Sequence, residues 1–342
     1  MRILIVGDFN FEMYEKAFYH AFKTNGDEVD TFKWKDFFYQ GSNKLLRFSS
    51  KLQYRFVFGL KIERLNKFLV NSVTENTPDF VFIYRGTHIY PRSIEKIKNL
   101  GCIVFSYHND NPFTSFNRRF YNRFYIKAAK FCDCNFVYRK KNIEDFNKIG
   151  ISNTRVLLPY YIQNRNFPVD SRKIYDISFV GHYENDGRDV FLKALIDAKL
   201  KFTLIAGVSG WRKSKHFKVI EPFVGECDYN NYNLYLSQSK IALVFLSKLN
   251  QDTYTRRCFE IPATKTLMLC EYTEDMASMF EPDKEAIYFK SPDELVSKCR
   301  YLLQNEKLIE EIAENGYNKL HISGHEVSNR ASEILKIYSA FK

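Results

Sequence analysis

The alternation of short apolar runs with segments of helical spacing, repeated in two series, restricts the fold of this chain more than any other feature. In the first series the apolar runs cover 2–6, 79–84, 102–107, 135–138 and 156–158, 28–34 can be the second strand, and helical spacing falls at 11–22, 93–100, 116–130 and 143–149. In the second they cover 175–180, 202–206, 219–224, 241–245 and 266–270, with helices expected at 189–199, 229–239, 291–303, 306–321 and 327–341. Runs that are apolar throughout are strands buried on both faces of a parallel sheet, and strands alternating with helices give a sheet covered on both sides. The expected fold class is therefore α/β, with two Rossmann-like domains facing across a cleft. We place them at 1–168 and 169–325, with a C-terminal helix over 326–342 packing back toward the first domain. The polar stretch 163–173, which contains Pro168, reads as the linker.

A length of 342 residues suits two domains, and 45% hydrophobic with 27% charged residues excludes a disordered chain. The net charge of +11 is unevenly spread. Residues 1–170 hold 27 Lys/Arg against 16 Asp/Glu, and 171–342 hold 24 against 24, so the whole excess, 27 minus 16, lies in the first domain. A positive field confined to one domain suits an anionic, extended partner, a membrane surface or a nucleic acid, and equally a solubilising surface. No RNA- or DNA-binding motif is present, so no nucleic-acid partner is expected. Seven cysteines with no zinc spacing suggest a reducing compartment. No segment approaches the ~20 apolar residues of a membrane span, and the initial apolar run is shorter than that of a signal peptide. The expected location is the cytoplasm, or the inner face of the cell membrane as a peripheral protein.

Between the second strand and the run 79–84 the texture changes. Lys33, Lys35, Lys44, Arg47, Lys51, Arg55, Lys61, Arg64 and Lys67 are threaded among Trp34, Phe37, Phe38, Tyr39, Leu45, Leu46, Phe48, Tyr54, Phe56, Phe58 and Leu60. Such a segment can lie on an anionic bilayer, or it can be a helix pair packed on the sheet with a basic outer face.

Chemistry concentrates in two places. Strands of the second series run into Gly181-His182, Gly207 and Gly225-Glu226, loops in which backbone N–H groups can approach phosphate. Farther on, Arg256-Arg257-Cys258-Phe259-Glu260 reads as the first turns of a helix that the Pro262–Thr266 stretch ends, just before the buried run 266–270. Alone, these charges are explained as a solvated helix face. At the mouth of a Rossmann-like sheet they become candidate ligands for a phosphorylated molecule. In the first domain, the loop Ser106-Tyr107-His108-Asn109-Asp110-Asn111-Pro112 is the one most crowded with titratable groups. Asp110 is the first candidate for a general base and His108 the second, with plain turn chemistry as the alternative.

Phe179-Val180-Gly181, Val224-Gly225-Glu226, Phe259-Glu260-Ile261-Pro262-Ala263, the segment 284–295 and Ala313-Glu314-Asn315-Gly316-Tyr317 together resemble the C-terminal half of GT-B glycosyltransferases of the spore-maturation, CgeB-like type. The resemblance extends from Tyr175 to about Arg330; the first half shares only the strand order. It implies that Glu260 holds the ribose hydroxyls of a nucleotide and that Asp252, eight positions earlier, stands where relatives contact the donor sugar. Relatives neutralise the diphosphate with an Arg and a Lys after the first glycine, where this chain has His182 and Arg188; Arg256 and Arg257 can supply that charge. With no convincing Asp-x-Asp signature, transfer independent of metal is implied. No permanently bound cofactor is expected. The donor is a nucleotide-sugar, with a UDP-sugar as the expectation, and the acceptor is a hydroxyl of a cell-surface glycan or a lipid-linked molecule. The alternatives are a catalytically silent GT-B-like interaction or surface-layer protein and a sugar-nucleotide epimerase.

Overall fold

The computed structural model describes residues 1–38, 41–225 and 228–341; Tyr39 of the basic, aromatic stretch and Glu226 after the third run of the second series lie outside them. The chain divides into two compact units, Met1–Leu158 with Val327–Lys342, and Pro159–Glu326.

In the first unit β1 (Arg2–Gly7), β2 (Glu28–Lys33), β3 (Phe80–Tyr84), β4 (Ile103–His108), β5 (Cys134–Val137) and β6 (Thr154–Val156) pair in parallel in the order β2-β1-β3-β4-β5-β6. The helices are α1 (Ala17–Thr24), α2 (Lys44–Phe56), α3 (Leu60–Asn76), α4 (Pro91–Asn99), α5 (Phe116–Tyr121), α6 (Arg123–Ala128) and α7 (Lys140–Asn147). Every residue of β3 is buried, the mark of a central strand, whereas β2 buries only Val29 and Phe32, as suits an edge strand. The single helix expected over 116–130 breaks at Asn122, whose side-chain amide donates to the Arg118 carbonyl at 2.9 Å. Helix α3 buries Ile62, Leu65, Leu69 and Val73, while α2 buries only Ser50.

In the second unit the elements are β7 (Tyr175–Val180), α8 (Arg188–Asp197), β8 (Phe202–Ile205), α9 (Val208–Trp211), α10 (Phe217–Ile220), β9 (Val224–Gly225), α11 (Tyr232–Ser237), β10 (Ser239–Val244), α12 (Arg257–Ala263), β11 (Leu267–Glu271), α13 (Glu274–Met279), β12 (Ile287–Phe289), α14 (Pro292–Leu303) and α15 (Glu306–Ile322). Their sheet is parallel, in the order β12-β11-β10-β7-β8-β9. The run 219–224 is mostly helical, α10 and a 3₁₀ turn, leaving a two-residue strand. Pro222 has no N–H for a ladder, which explains the difference. The short strand β12 was not expected from the sequence. The stretch after Pro159 is tied down: Phe167 exchanges hydrogen bonds with Asn233, and the Val169 N–H donates to Ser237 Oγ at 3.2 Å.

The last helix, α16 (Val327–Ser339), belongs to the first unit, where the Tyr338 ring lies 5.1 Å from that of Phe80 and its hydroxyl donates to Asp79 Oδ1 at 3.2 Å. Both sheets have a point where strand order reverses, β1/β3 in the first and β7/β10 in the second. The carboxyl ends of such strands are where open α/β sheets bind ligands.

Candidate functional site

At the reversal point of the second sheet, β7 ends in Gly181. A Cβ there would stand 2.9 Å from Arg257 Nη2 and 2.8 Å from Phe179 Cζ, so only glycine lets the guanidinium approach the backbone this closely. Arg257 Cζ lies 5.7 Å from the Phe179 ring centroid, and among the described residues its buried Nε has no hydrogen-bond partner. Three residues along α12, Glu260 is only 6% exposed. A solvated helix face is therefore not what this stretch forms. Glu260 Oε2 accepts from the Tyr232 hydroxyl at 2.7 Å, and Oε1 takes no hydrogen bond from the described residues. Burial, with the Glu260 carboxylate alongside, pushes the Tyr232 phenol well above its ordinary range; Arg257 and Arg165 oppose the shift. Tyr232, Glu260, Arg257 and Arg165 thus form one cluster. Arg256 begins α12 with its guanidinium 5.3 Å from the Tyr160 ring.

Helix α12 is held in this place by the other segments that carried the resemblance. Gly316 of α15 is so close to the Glu285 carbonyl that a Cβ would meet its oxygen at 2.5 Å, and the same Cβ would lie 3.9 Å from Pro262. Phe259 packs against the rings of His325 and Phe280 at 4.8 and 6.4 Å.

The remaining residues of the β7 loop turn to one another. Arg188 is buried: Nε donates to Asp186 Oδ1 at 2.9 Å and Nη1 to the His182 carbonyl at 2.8 Å, while Nη2 pairs with Asp186 Oδ2 and lies 3.6 Å from Glu184. Its guanidinium braces the loop through these bonds. His182 is exposed and bonds Glu184 Oε1 at 3.0 Å; Ser247, after β10, donates to Oε2. Burial raises the Glu184 pKa, but the hydrogen bonds from His182 and Ser247 and the charge of Arg188 outweigh it and hold the carboxyl at about 2. Asp252 is brought to the same end of β10 by its N–H, which donates to the Ser247 carbonyl at 2.9 Å. Lys248 Nζ lies 3.6 Å from the Cβ position of Gly187. Gly225 stands apart in edge strand β9, two strands from β7.

In the first unit, a pocket of about 460 Å³ opens at the β1/β3 reversal point, lined by Asp8, Arg85, Asp110 and Arg118 with Tyr54, Phe120 and other neighbours. Asp110 is 42% exposed, and its Oδ2 lies 3.9 Å from Arg85 Nη2. Burial works to raise its pKa, and the surrounding positive charge, led by Arg85, overcomes this and lowers it. His108 has neither ring nitrogen to spare. The Asn122 amide donates to the Arg118 carbonyl, so Asn122 Oδ1 accepts from His108 Nε2 at 2.8 Å, and Nδ1 accepts the Asp110 N–H at 3.2 Å. Burial pulls the His108 pKa down to about 4, keeping the ring neutral. Its place is to position Asp110. Arg85, at φ +66°, donates from Nε to Asn109 Oδ1 at 2.9 Å. Beside Asp8, the fully buried Glu15 accepts the Asp8 N–H at 3.1 Å, and burial, then the Asp8 charge, pushes its pKa up to about 7.

Sequence reasoning missed Tyr232, Arg165, Glu184, Lys248, Asp8, Glu15 and Arg85. Nothing distinguishes Tyr232 among 23 tyrosines. Asp8 and Arg85 carried a usable signal, each following directly on a buried strand or its glycine.

A family model described as glycosyl transferase-like matches residues 188–336. No curated protein matches significantly. Among solved structures, the sucrose-phosphate synthase of Thermosynechococcus elongatus is 12% identical with a TM-score of 0.68, over 100% of this chain and 99% of that one. HepE of Anabaena, solved with UDP and glucose, is 11% identical with a TM-score of 0.69, over 99% and 100%. A glycosyltransferase from Rickettsia africae is 14% identical with a TM-score of 0.66, over 99% and 98%. At such identities the likeness is one of fold, and the fold is GT-B, with two Rossmann-like units. Fold and family match are together those of a GT-B glycosyltransferase.

Proposed function

We propose that the protein transfers a sugar from a nucleotide-sugar to a hydroxyl of a cell-surface glycan or lipid-linked acceptor, as a GT-B enzyme of the CgeB-like type working in the cytosol at an anionic membrane surface. The observation that carries this reading is the buried Glu260 carboxylate, fixed at one oxygen by Tyr232 and beside Arg257 at a sheet reversal point. Glu260 Oε1 is suited to accept from a ribose hydroxyl, and Arg257, with Arg256 and Lys248, to bind phosphate oxygens. UDP is the favoured nucleotide, because HepE was solved with UDP.

As the bond from sugar carbon to phosphate oxygen breaks, its electron pair leaves with the diphosphate. Fixed guanidinium groups stabilise that charge without a metal. The first unit holds the acceptor in the pocket at Asp110. There the carboxylate is suited to take the proton of an acceptor hydroxyl, with His108 and Arg85 fixing its position. Asp252 contacts the donor sugar.

The test is thermal shift and donor hydrolysis with UDP-, GDP-, dTDP- and CMP-sugars. One nucleotide should stabilise the protein, EDTA should not change turnover, and Glu260→Ala should abolish the response. Absence of any nucleotide response would overturn the proposal in favour of an interaction protein. Isomerisation of the sugar without release of free nucleotide would replace it with an epimerase.

A further inference from the structure

Helix α2 is amphipathic the wrong way round for a helix packed on a sheet. Leu45, Phe48, Leu52 and Phe56 recur at spacings of three, four and four and so form one stripe. That stripe points outward, with exposures of 80%, 62%, 37% and 45%. Beside it, Lys44, Arg47, Lys51 and Arg55 recur at the same spacings as a second, cationic stripe. The side facing the protein is represented by the buried Ser50 and the half-buried Tyr54. The apolar surface continues past the helix through Phe58 and Leu60, 54% and 77% exposed. From Phe37 to Ile62 the sequence contains five Lys/Arg and no Asp or Glu.

The helix is firmly built. The Asn43 side chain caps its start by accepting from the N–H groups of Leu45 and Leu46. At its end the Arg123 guanidinium donates to the carbonyls of Phe56 and Val57 at 2.7 and 3.0 Å. The Tyr54 ring packs against the buried His88 with ring centroids 4.5 Å apart. The outward stripe is thus held in place from beneath.

We propose that α2 and the turn to α3 are the membrane-contacting element of the protein, an interfacial helix lying in the plane of an anionic bilayer. Leu45, Phe48, Leu52, Phe56, Phe58 and Leu60 enter the boundary between headgroups and acyl chains. Lys44, Arg47 and Lys51 reach sideways to lipid phosphates while their stems lie along the apolar surface. Charge complementarity selects this occupant: a surface combining large apolar side chains with cations and no acidic residue matches anionic lipid, and matches a second copy of itself poorly. Tyr54, Arg55 and Phe56 also line the Asp110 pocket. Resting on the proposed function, this places the mouth of the acceptor pocket at the bilayer surface, where a lipid-linked acceptor resides.

The experiment is flotation of the full chain with phosphatidylcholine vesicles, alone and with about one third phosphatidylglycerol, at low and high salt. Binding to the anionic vesicles only, weakened by salt, is expected. Each cation near an anionic surface strengthens binding roughly fivefold, so Arg47→Glu with Lys51→Glu should weaken it at least roughly 25-fold. Phe48→Ser with Leu52→Ser should weaken it roughly tenfold or more. All four positions are exposed, so circular dichroism and the UDP-dependent thermal shift should stay as in the native chain. Equal binding to neutral and anionic vesicles, no vesicle binding, native binding by either variant, or a patch buried in a dimer by light scattering would each overturn the proposal. A persisting UDP response in those cases leaves the glycosyltransferase reading standing; its loss in the native chain with vesicle binding intact overturns that reading alone.

Discussion

Replacing Gly181 by alanine isolates the approach of Arg257 to the end of β7. The new methyl would stand 2.8 Å from Phe179 Cζ, 2.9 Å from Arg257 Nη2 and 3.3 Å from Arg257 Cζ. Unstrained contacts of this kind are about 3.5–4.0 Å long, so at least roughly 0.6 Å has to be made up. Phe179 cannot yield: it is fully buried, with Phe245 and Trp211 at ring distances of 5.0 and 6.1 Å. The guanidinium is the end of a flexible side chain whose Nε has no partner among the described residues, so it moves. That movement does not relieve the contact with Phe179, so the cost to stability should be about 3 kcal/mol, the upper end for overpacking. Binding is weakened as well, because a displaced guanidinium loses a charged hydrogen bond to phosphate, worth about 1.5–3 kcal/mol, or roughly 10- to 150-fold in Kd. Calorimetric titration with UDP and with uridine should show Gly181→Ala and Arg257→Ala each weakening UDP and leaving uridine unchanged. Because both act through one group, the double variant should bind UDP within about twofold of Arg257→Ala. UDP binding by Gly181→Ala within about threefold of native, or additive losses, would refute this account.

Arg188 and Asp186 side chains are 2% and 4% exposed, so Arg188→Met should destabilise the second unit by about 3–5 kcal/mol in chemical denaturation. Asp186→Asn in the same chain should recover part of this, and UDP affinity of the folded fraction should stay near native, because the Arg188 guanidinium is engaged by Asp186 and the His182 carbonyl. Glu15 gives a pH dependence of known sign. Its folded pKa of about 7 lies above the ordinary value of 4.5, so its contribution is fully present below pH 4.5 and is lost as pH rises to about 7, by about 3 kcal/mol in all. Thermal melts from pH 4.5 to 7.5 should show Glu15→Gln lacking that decline.

The parallel sheets were legible because β3 is apolar from end to end and β11 is apolar up to its last residue, Glu271, a pattern few other structures tolerate. The reading slipped where length or backbone chemistry overrode hydropathy. Three-residue β12 is too short to register, and Pro222 turns an apolar run into helix and 3₁₀ turn. Arg188 occupies the sequence position of a phosphate ligand, but Asp186, two residues earlier, holds it in a fork that spacing alone does not reveal. Glu260 carried a better signal than its charge suggests: a lone carboxylate within Cys258-Phe259-Glu260-Ile261-Pro262-Ala263 has no polar face to occupy, and all six residues are buried.

The partners of these residues were hidden because strand order, unlike strand position, is not written locally. Asp8 follows β1 and Arg85 follows β3, separated by the whole of α1 to α3, yet β1 and β3 are neighbours and both residues line one pocket. Asp110 follows β4, the next strand along, and so joins them. In the second unit the same logic joins the loops after β7 and β10, where Ser247 donates to Glu184. A loop crowded with titratable groups is therefore weak information until its strand is placed beside a reversal point. Once it is, the same loop confines Asp110 as the exposed, ionised carboxylate of its pocket and His108 as the neutral ring that holds it there.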